Sequence, residues 1–493
     1  TVYLFDVEKQ QKTELDLGGK EFRIRASDWS EDGKKFYIAK LTADNHDFVQ
    51  FIVDPKTCAV SIIDTEHDDE WIAGPGFTSF WDKDYKNIIF TSERSGFNHL
   101  WKVSAGGGEP VQLTSGDWEL ERVRFLRDKN LVLFQSSEVS PYERHIYSYD
   151  LGRNRKTKIT SKEGFNMLTS ASDDGNYILY THESTAYPND YHVTELTDKP
   201  KNIREVQVSF TVPSELQEAD LVQPEFVTFN SHVDGKTIHA RVYKPRDLDT
   251  SRKYPAVIFV HGAGYLHNTN KAWQSYQQNI KFHHRLTQKG YIVLDLDYRG
   301  SKGYGRDFRT DVYMYLGGRD LDDEISGVEY LKTLPYVDTD YVGLYGGSYG
   351  GFMTLMALFI HPDTFKAGAA LRSVTDWENY NAGYTQQRLG IVKDNKEAYK
   401  KSSPLHFAEN LKGHLLLLHG LVDSNVFSQD SFQLVEKLIK AHKTDLFESV
   451  FYPTQDHGFT DPDSWIDEYR RIELLFDRYL MEPMGLPVID DKK

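Results

Sequence analysis

The chain has 493 residues, 39% hydrophobic and 27% charged, the balance of a soluble globular protein with room for two to four domains. Asp plus Glu (74) outnumber Lys plus Arg (58), and the net charge of −16 repels phosphate backbones and excludes nucleic acid as the natural partner. No run approaches the roughly 18 apolar residues of a membrane span, and a single cysteine, Cys58, rules out an internal disulfide without fixing a compartment.

The sequence opens at Thr1 with no visible signal segment, directly into strand-like residues, so a processed or truncated start is expected. Residues 1–215 are short alternating strands broken by Asp, Gly, Asn and Lys, and aromatic content is 13%. A polar turn followed by a strand recurs at Ser30-Glu31-Asp32-Gly33, Asp82-Lys83-Asp84, Arg127-Asp128-Lys129 and Ser172-Asp173-Asp174-Gly175. Anchored on Asp32, Asp84, Asp128 and Asp174, the steps are 52, 44 and 46 residues. The partner half is an alternating strand, as in Val2–Asp6, Phe51–Asp54, Leu100–Val103, Ile146–Asp150 and Tyr191–Glu195. A period of about 40–50 residues with several strands per unit predicts propeller blades, with a β-sandwich as the alternative. About four and a half units fit. An open set of blades leaves strand edges unprotected, so further blades are expected before Thr1.

Near Thr211–Asp220 the texture changes, and residues 216–493 are predicted as one α/β domain. Strand candidates are Phe226–Ser231, Ile238–Lys244, Ala256–Val260, Tyr291–Leu296, Val342–Tyr345, Ala367–Leu371, His414–Leu418 and Phe447–Tyr452. Helical patterns lie between them at Lys271–Lys289, Asp320–Leu334, Tyr349–Ile360, Phe427–Ala441 and Ser464–Leu480. This alternation predicts a mostly parallel sheet covered on both faces.

The strongest local signal is Gly346-Gly347-Ser348-Tyr349-Gly350-Gly351, between the strand Val342–Tyr345 and the helical run Phe352–Ile360. Strand, G-x-S-x-G, helix is the context of a nucleophile elbow, which presents a serine hydroxyl at the strand's carboxyl end. The hydroxyl needs a base and the base an orienting acid, in chain order Ser, Asp or Glu, His. Asp423 follows the strand His414–Leu418, and His457 follows the last strand beside Gly458. His361, His406 and His442 lack that strand-end context, and His419 precedes the acid; Asp456 and Asp430 are the alternative acids. An oxyanion hole would combine the Tyr349 N–H with a donor from His261-Gly262-Ala263-Gly264-Tyr265, through Tyr265, His261 or the backbone. No zinc signature such as H-E-x-x-H occurs, so no metal or organic cofactor is expected. Read alone, Trp377, Tyr380 and Tyr384 at i, i+3 and i+7 fit the core stripe of a helix.

Together, Gly346–Gly351, His419-Gly420-x-x-Asp423-x-Asn425-Val426 and Asp456-His457-Gly458 resemble the prolyl oligopeptidase family of serine peptidases. Tyr298-Arg299-Gly300-Ser301, Gly303-Tyr304-Gly305 and Trp377-Glu378-x-Tyr380-x-x-x-Tyr384 make the dipeptidyl peptidase IV branch the closest match, with prolyl tripeptidyl peptidases near it. The resemblance covers the whole chain and implies an α/β-hydrolase domain preceded by part of a β-propeller. It implies that Tyr380 and Tyr384 pack on a proline ring before the scissile bond, Trp377 supports them, Asn425 holds a substrate carbonyl and Val426 lines the pocket. It further implies peptide substrates, no cofactor, and release of N-terminal dipeptides or tripeptides with Pro or Ala preferred. Prolyl endopeptidase, acylaminoacyl peptidase and carboxylesterase are the alternatives. In this branch a glutamate pair in an early propeller insertion grips the free amino terminus; no such pair occurs here, and it is expected before Thr1. Dimers are common in the family, and bacterial members are often periplasmic, which places a homodimer and a periplasmic or secreted protein ahead of a cytoplasmic one.

Overall fold

A computed structural model describes residues 1–19, 21–72, 77–197, 204–273 and 277–488. Two compact units divide the chain: one holds Thr1–Ser214, Asn270–Trp273 and Lys302–Thr310, the other Glu215–Thr269, Gln274–Ser301 and Asp311–Lys493.

The first unit is a β-propeller region of four four-stranded antiparallel sheets, preceded by a hairpin of Val2–Asp6 and Gln11–Leu15. Each sheet is a meander in chain order, the first formed by Phe22–Trp29, Phe36–Thr42, Asp47–Val53 and Val60–His67. The period-2 alternation of strands explains how the sheets stack. In Asn87–Ser92, Ile88 and Phe90 pack with the sheet before and Ile89 with the sheet after. In Leu131–Ser136, Val132 and Phe134 face one way and Leu133 the other. Inner strands are therefore apolar on both faces, and each fully buried Leu, Ile or Phe contributes roughly 1.5–3 kcal/mol. Three of the four recurring turns are built by an Asp side chain, and the third in chain order, Arg127–Lys129, is a 3-10 turn closed by Asn130 N donating to Arg127 O. Asp32 accepts from Ser30 Oγ (2.8 Å) and Lys34 N (3.0 Å), and Asp174 accepts from Ser172 Oγ (2.6 Å) and Asn176 N (2.9 Å). In the second turn the capping side chain is Asp82, which accepts from Lys86 N and Asn87 N.

The second unit is an α/β-hydrolase sheet of eight strands: β1 (Glu225–Asn230), β2 (Thr237–Tyr243), β3 (Tyr254–Val260), β4 (Ile292–Asp297), β5 (Val337–Gly347), β6 (Ala367–Leu371), β7 (His414–Gly420) and β8 (Phe447–Tyr452). Their spatial order is β1-β2-β4-β3-β5-β6-β7-β8. The first two strands pair antiparallel, β2 meets β4 antiparallel, and every later pairing is parallel. All seven residues of β3 are buried, the near-continuous apolar run that a sheet covered on both faces requires.

The helices that matter for the site are α1 (Gln277–Lys289), α2 (Arg319–Lys332), α3 (Tyr349–Ile360), α4 (Ala382–Leu389), α5 (Gln429–Lys440) and α6 (Pro462–Phe476). The helix expected from Lys271 starts at Gln277: residues 271–273 are irregular, and 274–276 lie outside the described residues. Asp461 sets the start of α6, its side chain accepting from Ser464 N, with Pro462 in the first turn. The Trp377–Tyr384 segment is not one helix. Asp376 caps a single 3-10 turn over Trp377–Asn379, Tyr380 is extended, and Asn381 caps α4 by accepting from Gly383 N and Tyr384 N.

Candidate active site

The elbow is formed by β5 running straight into α3. Ser348 sits between them at φ 60°, ψ −118°, a conformation that costs a non-glycine residue free energy and that the surrounding packing imposes. The turn closes because its neighbours have no side chains. A Cβ on Gly350 would fall well inside contact distance of Val260 O and 3.0 Å from His261 O, and one on Gly351 would strike Ser373 Oγ and Leu371 O. Ser348 N donates to Leu371 O (2.8 Å), tying the elbow to β6. The Tyr349 N–H lies in the first turn of α3, where helix N–H groups have no intrahelical acceptor.

Asp423 follows β7, 4% exposed, and His457 follows β8. The imidazole Nδ1 lies 2.8 Å from Asp423 Oδ2. Asp423 Oδ1 accepts from Asn425 N and Val426 N, both at 2.9 Å. A second imidazole, His419, stands with Nε2 3.2 Å from Asp423 Oδ2 and Nδ1 2.7 Å from Ser431 Oγ. Burial pushes the Asp423 carboxyl up, but the bonds from His419, His457 and Val426 N outweigh it and hold the group well below the usual carboxylate range.

Ser348 and His457 line one cavity of about 430 Å³ together with Ala263, Tyr265, Tyr349, Trp377, Tyr380, Tyr384 and Asn425. No hydrogen bond joins Ser348 Oγ to the imidazole among the described residues; such bonds often tighten only with substrate bound. The aromatics form a box. Trp377 stacks on Tyr384 (5.7 Å between centroids, 12°) and meets Tyr380 edge-on (5.6 Å, 87°). Tyr384 donates to Ala263 O (2.9 Å), and the Arg388 guanidinium lies 3.7 Å from its ring centroid. Tyr380 donates to Asn425 Oδ1 (3.0 Å). Apolar rings fixed by hydroxyl bonds at their rims suit a flat, rigid, uncharged group.

Two expected positions come out differently. His261 does not face the cavity: it is fully buried, stacked on Tyr298 (4.2 Å), with Nδ1 near Gly262 O (3.0 Å) and Nε2 near Ser301 Oγ (2.9 Å). Burial pulls its imidazole down to about 4, and with both ring nitrogens engaged it braces the loop that carries Tyr265. Tyr265 remains, 41% exposed and lining the cavity. Val426 is 2% exposed, and its N–H donates to Asp423 Oδ1. The alternative acids are engaged elsewhere: Asp430 accepts from Thr375 N (2.8 Å), and Asp456 from Ser424 N (2.8 Å) and His457 N (2.7 Å).

Side chains outside the triad and the aromatic box also shape the site. Tyr349 OH donates to Asp320 Oδ2 (2.6 Å), fixing the ring beside the elbow; burial pushes the Asp320 carboxyl up to about 6. Arg299 braces the neighbouring loop through Asp323, Asp234, Asp311 and Ser231. Gln278, Arg372, Val374 and Trp465 complete the cavity wall. Only the fold brings these scattered positions together. Among the described residues, no cluster of three or more His, Cys, Asp or Glu groups is placed to hold a metal ion, and no helix is long and apolar enough to cross a membrane.

Comparison with known families matches residues 275–482 to the prolyl oligopeptidase family and residues 1–189 to the dipeptidyl peptidase IV N-terminal region. Human dipeptidyl peptidase 8 is 29% identical over 437 residues, 81% of this chain and 47% of that protein. The mouse protein of the same name is 28% identical over 440 residues, 82% of this chain and 48% of its own length. The chain thus spans about half the length of these relatives. The crystal structure of Porphyromonas gingivalis dipeptidyl peptidase 4 superposes with a TM-score of 0.81 at 26% identity, covering 96% of this chain and 66% of that one. With a propeller region, an α/β-hydrolase sheet and matches to both halves, the chain belongs to the prolyl oligopeptidase family, in its dipeptidyl peptidase IV branch.

Proposed function

We propose that this chain is a serine exopeptidase that releases dipeptides from the free amino end of peptides, with Pro or Ala before the scissile bond. The observation that carries the reading is the single cavity that holds Ser348 at the elbow, His457 bonded to the buried Asp423, and the Trp377, Tyr380 and Tyr384 box. The names of the relatives support the dipeptidyl product.

In the mechanism, His457 Nε2 takes the Ser348 proton as Oγ attacks the carbonyl carbon, and Asp423 holds the tautomer with Nδ1 protonated. The Tyr349 N–H and the Tyr265 hydroxyl donate to the oxyanion. His457 then protonates the leaving amine, the C–N bond breaks, and a dipeptidyl ester remains on Ser348. Water, deprotonated by His457, hydrolyses that ester and restores the serine. Tyr380 and Tyr384 take the proline ring by apolar contact, and Asn425 Nδ2 is free to donate to a substrate carbonyl because its Oδ1 already accepts from Tyr380.

The test compares hydrolysis of a free-amino Xaa-Pro p-nitroanilide with its N-acylated twin. Cleavage of the free form alone is the expected result. Equal cleavage of both would replace the reading with an endopeptidase or acyl-peptide hydrolase. Turnover of a free tripeptidyl anilide alone would move the product to a tripeptide, and turnover of p-nitrophenyl esters without any amide would make the site an esterase. Tyr384→Ala is expected to raise KM for prolyl amides about tenfold or more, from the loss of roughly 1.5 kcal/mol or more of ring contact, while changing small-ester turnover far less. Equal losses on both substrates would assign Tyr384 to packing.

A further inference from the structure

One wall of the cavity carries a cation that the mechanism does not use. Arg372 follows β6 at φ 41°, a left-handed conformation, its N–H bonded to Leu418 O (2.7 Å). The residue is 9% exposed and lines the cavity. Its guanidinium lies against the nucleophile's own strand, since a Cβ on Gly347 would stand 2.8 Å from Nη2 and 2.9 Å from Cζ. It lies over the Trp465 ring at 5.6 Å, and its Nη1 is 3.6 Å from Glu468 Oε1. That separation is too long for a hydrogen bond, and neither atom has a hydrogen-bond partner among the described residues.

A buried guanidinium nitrogen without a hydrogen bond is disfavoured, and with Glu468 no nearer than 3.6 Å the Arg372 Nη1 keeps a donor for a second anion. Position indicates which part of the substrate brings it. The aromatic box takes the acyl side. The leaving amine departs toward His457, which protonates it, and Trp465, the ring beneath Arg372, belongs to the helix that follows His457. Gly458, Trp465 and Gln278 line the cavity with Arg372. We propose that Arg372 is a specificity residue for the leaving side, binding a carboxylate carried by the residue just after the scissile bond. Two sources share that chemistry: the C-terminal carboxylate of a tripeptide, or an Asp or Glu side chain in a longer peptide. Glu468 positions the guanidinium from behind. The inference rests on the exopeptidase reading for the direction in which substrate lies.

The test measures calorimetric binding to the full chain bearing Ser348→Ala, so that no ligand is consumed. The probes are Ala-Pro-Ala as free acid and as amide, and the amides of Ala-Pro-Glu and Ala-Pro-Gln. One anionic member is expected to bind at least tenfold tighter than its neutral twin: the free acid if the terminal carboxylate is recognised, the glutamate if the side chain is. That preference is expected to fall below twofold with Arg372→Met and to survive in part with Arg372→Lys, which keeps the charge if the methionine variant does not fold. Equal affinities within both pairs, no binding of any peptide, or a preference that persists in a folded Arg372→Met protein would overturn the proposal. Turnover of the same four peptides by the wild-type chain separates the two readings. Cleavage without a charge preference removes the subsite alone. Charge-selective binding without cleavage removes the exopeptidase reading and leaves the anion site.

Discussion

At the scale of single residues, the site is organised by Asp423. Its carboxylate receives two backbone N–H groups and two imidazoles inside the protein, and those donors stabilise the charged form that His457 needs as its partner. Asp423→Asn keeps the shape and removes the charge, so kcat is expected to fall about 10³–10⁴-fold with little change in fold, as steady-state kinetics and circular dichroism would report. A fall of less than tenfold would move the acid role elsewhere. The sign of the pH effect follows from the depressed carboxyl: its stabilisation is complete above the unfolded-state range near 4 and is lost as pH falls below it. Glu468 behaves in the opposite way. Burial raises its carboxyl to about 7, with Arg372 opposing. Its preference for the protonated form is satisfied below about 4.5 and becomes a cost as pH rises through 7. Glu468→Gln is therefore expected to match wild type in Tm near pH 5 and exceed it near pH 8, by up to about 3 kcal/mol of stability. A difference independent of pH would contradict the raised carboxyl. Asp423 and His457 could be picked out by chain order together with their places just after strands. His419 and Arg372 were not, because their neighbours, Ser431 and Glu468, reach them only when α5 and α6 pack onto the sheet.

At the scale of elements, the elbow depends on close backbone approach. Gly350 is in contact with the carbonyls of Val260 and His261, where no side chain fits and no flexible group can yield. Gly350→Ala is expected to cost about 3 kcal/mol, which is roughly 6–12 °C in Tm for a domain of this size, and to abolish fluorophosphonate labelling of Ser348. A Tm within 2 °C of wild type and undiminished labelling would contradict that packing. The strands β6 and β8 and the helix α3 were read from sequence to the residue, because length and flanking turns separate five- and six-residue strands from a twelve-residue helix. The Trp377–Tyr384 stretch was harder to read. Its spacing fits a helix, and the two capping side chains, Asp376 and Asn381, break it in two and turn the aromatics toward the cavity instead of the core.

At the scale of the whole molecule, repetition made the propeller region legible: the Asp-anchored turns return at steps of 44 to 52 residues, and each joins the first two strands of its sheet. A finer repeat escaped notice. His99 Nδ1 meets Thr114 Oγ1 (3.1 Å) and His145 Nδ1 meets Thr160 Oγ1 (3.3 Å), 46 residues apart, each locking a third strand to the segment that follows. A His at the start of one strand and a Thr fifteen residues on, beyond the next, give no periodic signal, so the pair emerges only from the fold. The parallel order of the hydrolase sheet followed from the strand–helix alternation, and that order delivers Ser348 and His457 from the ends of β5 and β8 to one cavity, with Asp423 from the end of β7 behind the imidazole. The most direct test of that convergence is mass spectrometry of the chain quenched during turnover of an Xaa-Pro ester. A dipeptidyl mass increase on the peptide containing Ser348, absent from Ser348→Ala, is the expected result. Turnover with no adduct on that peptide, or an adduct on another residue, would contradict the assignment of Ser348 as the nucleophile.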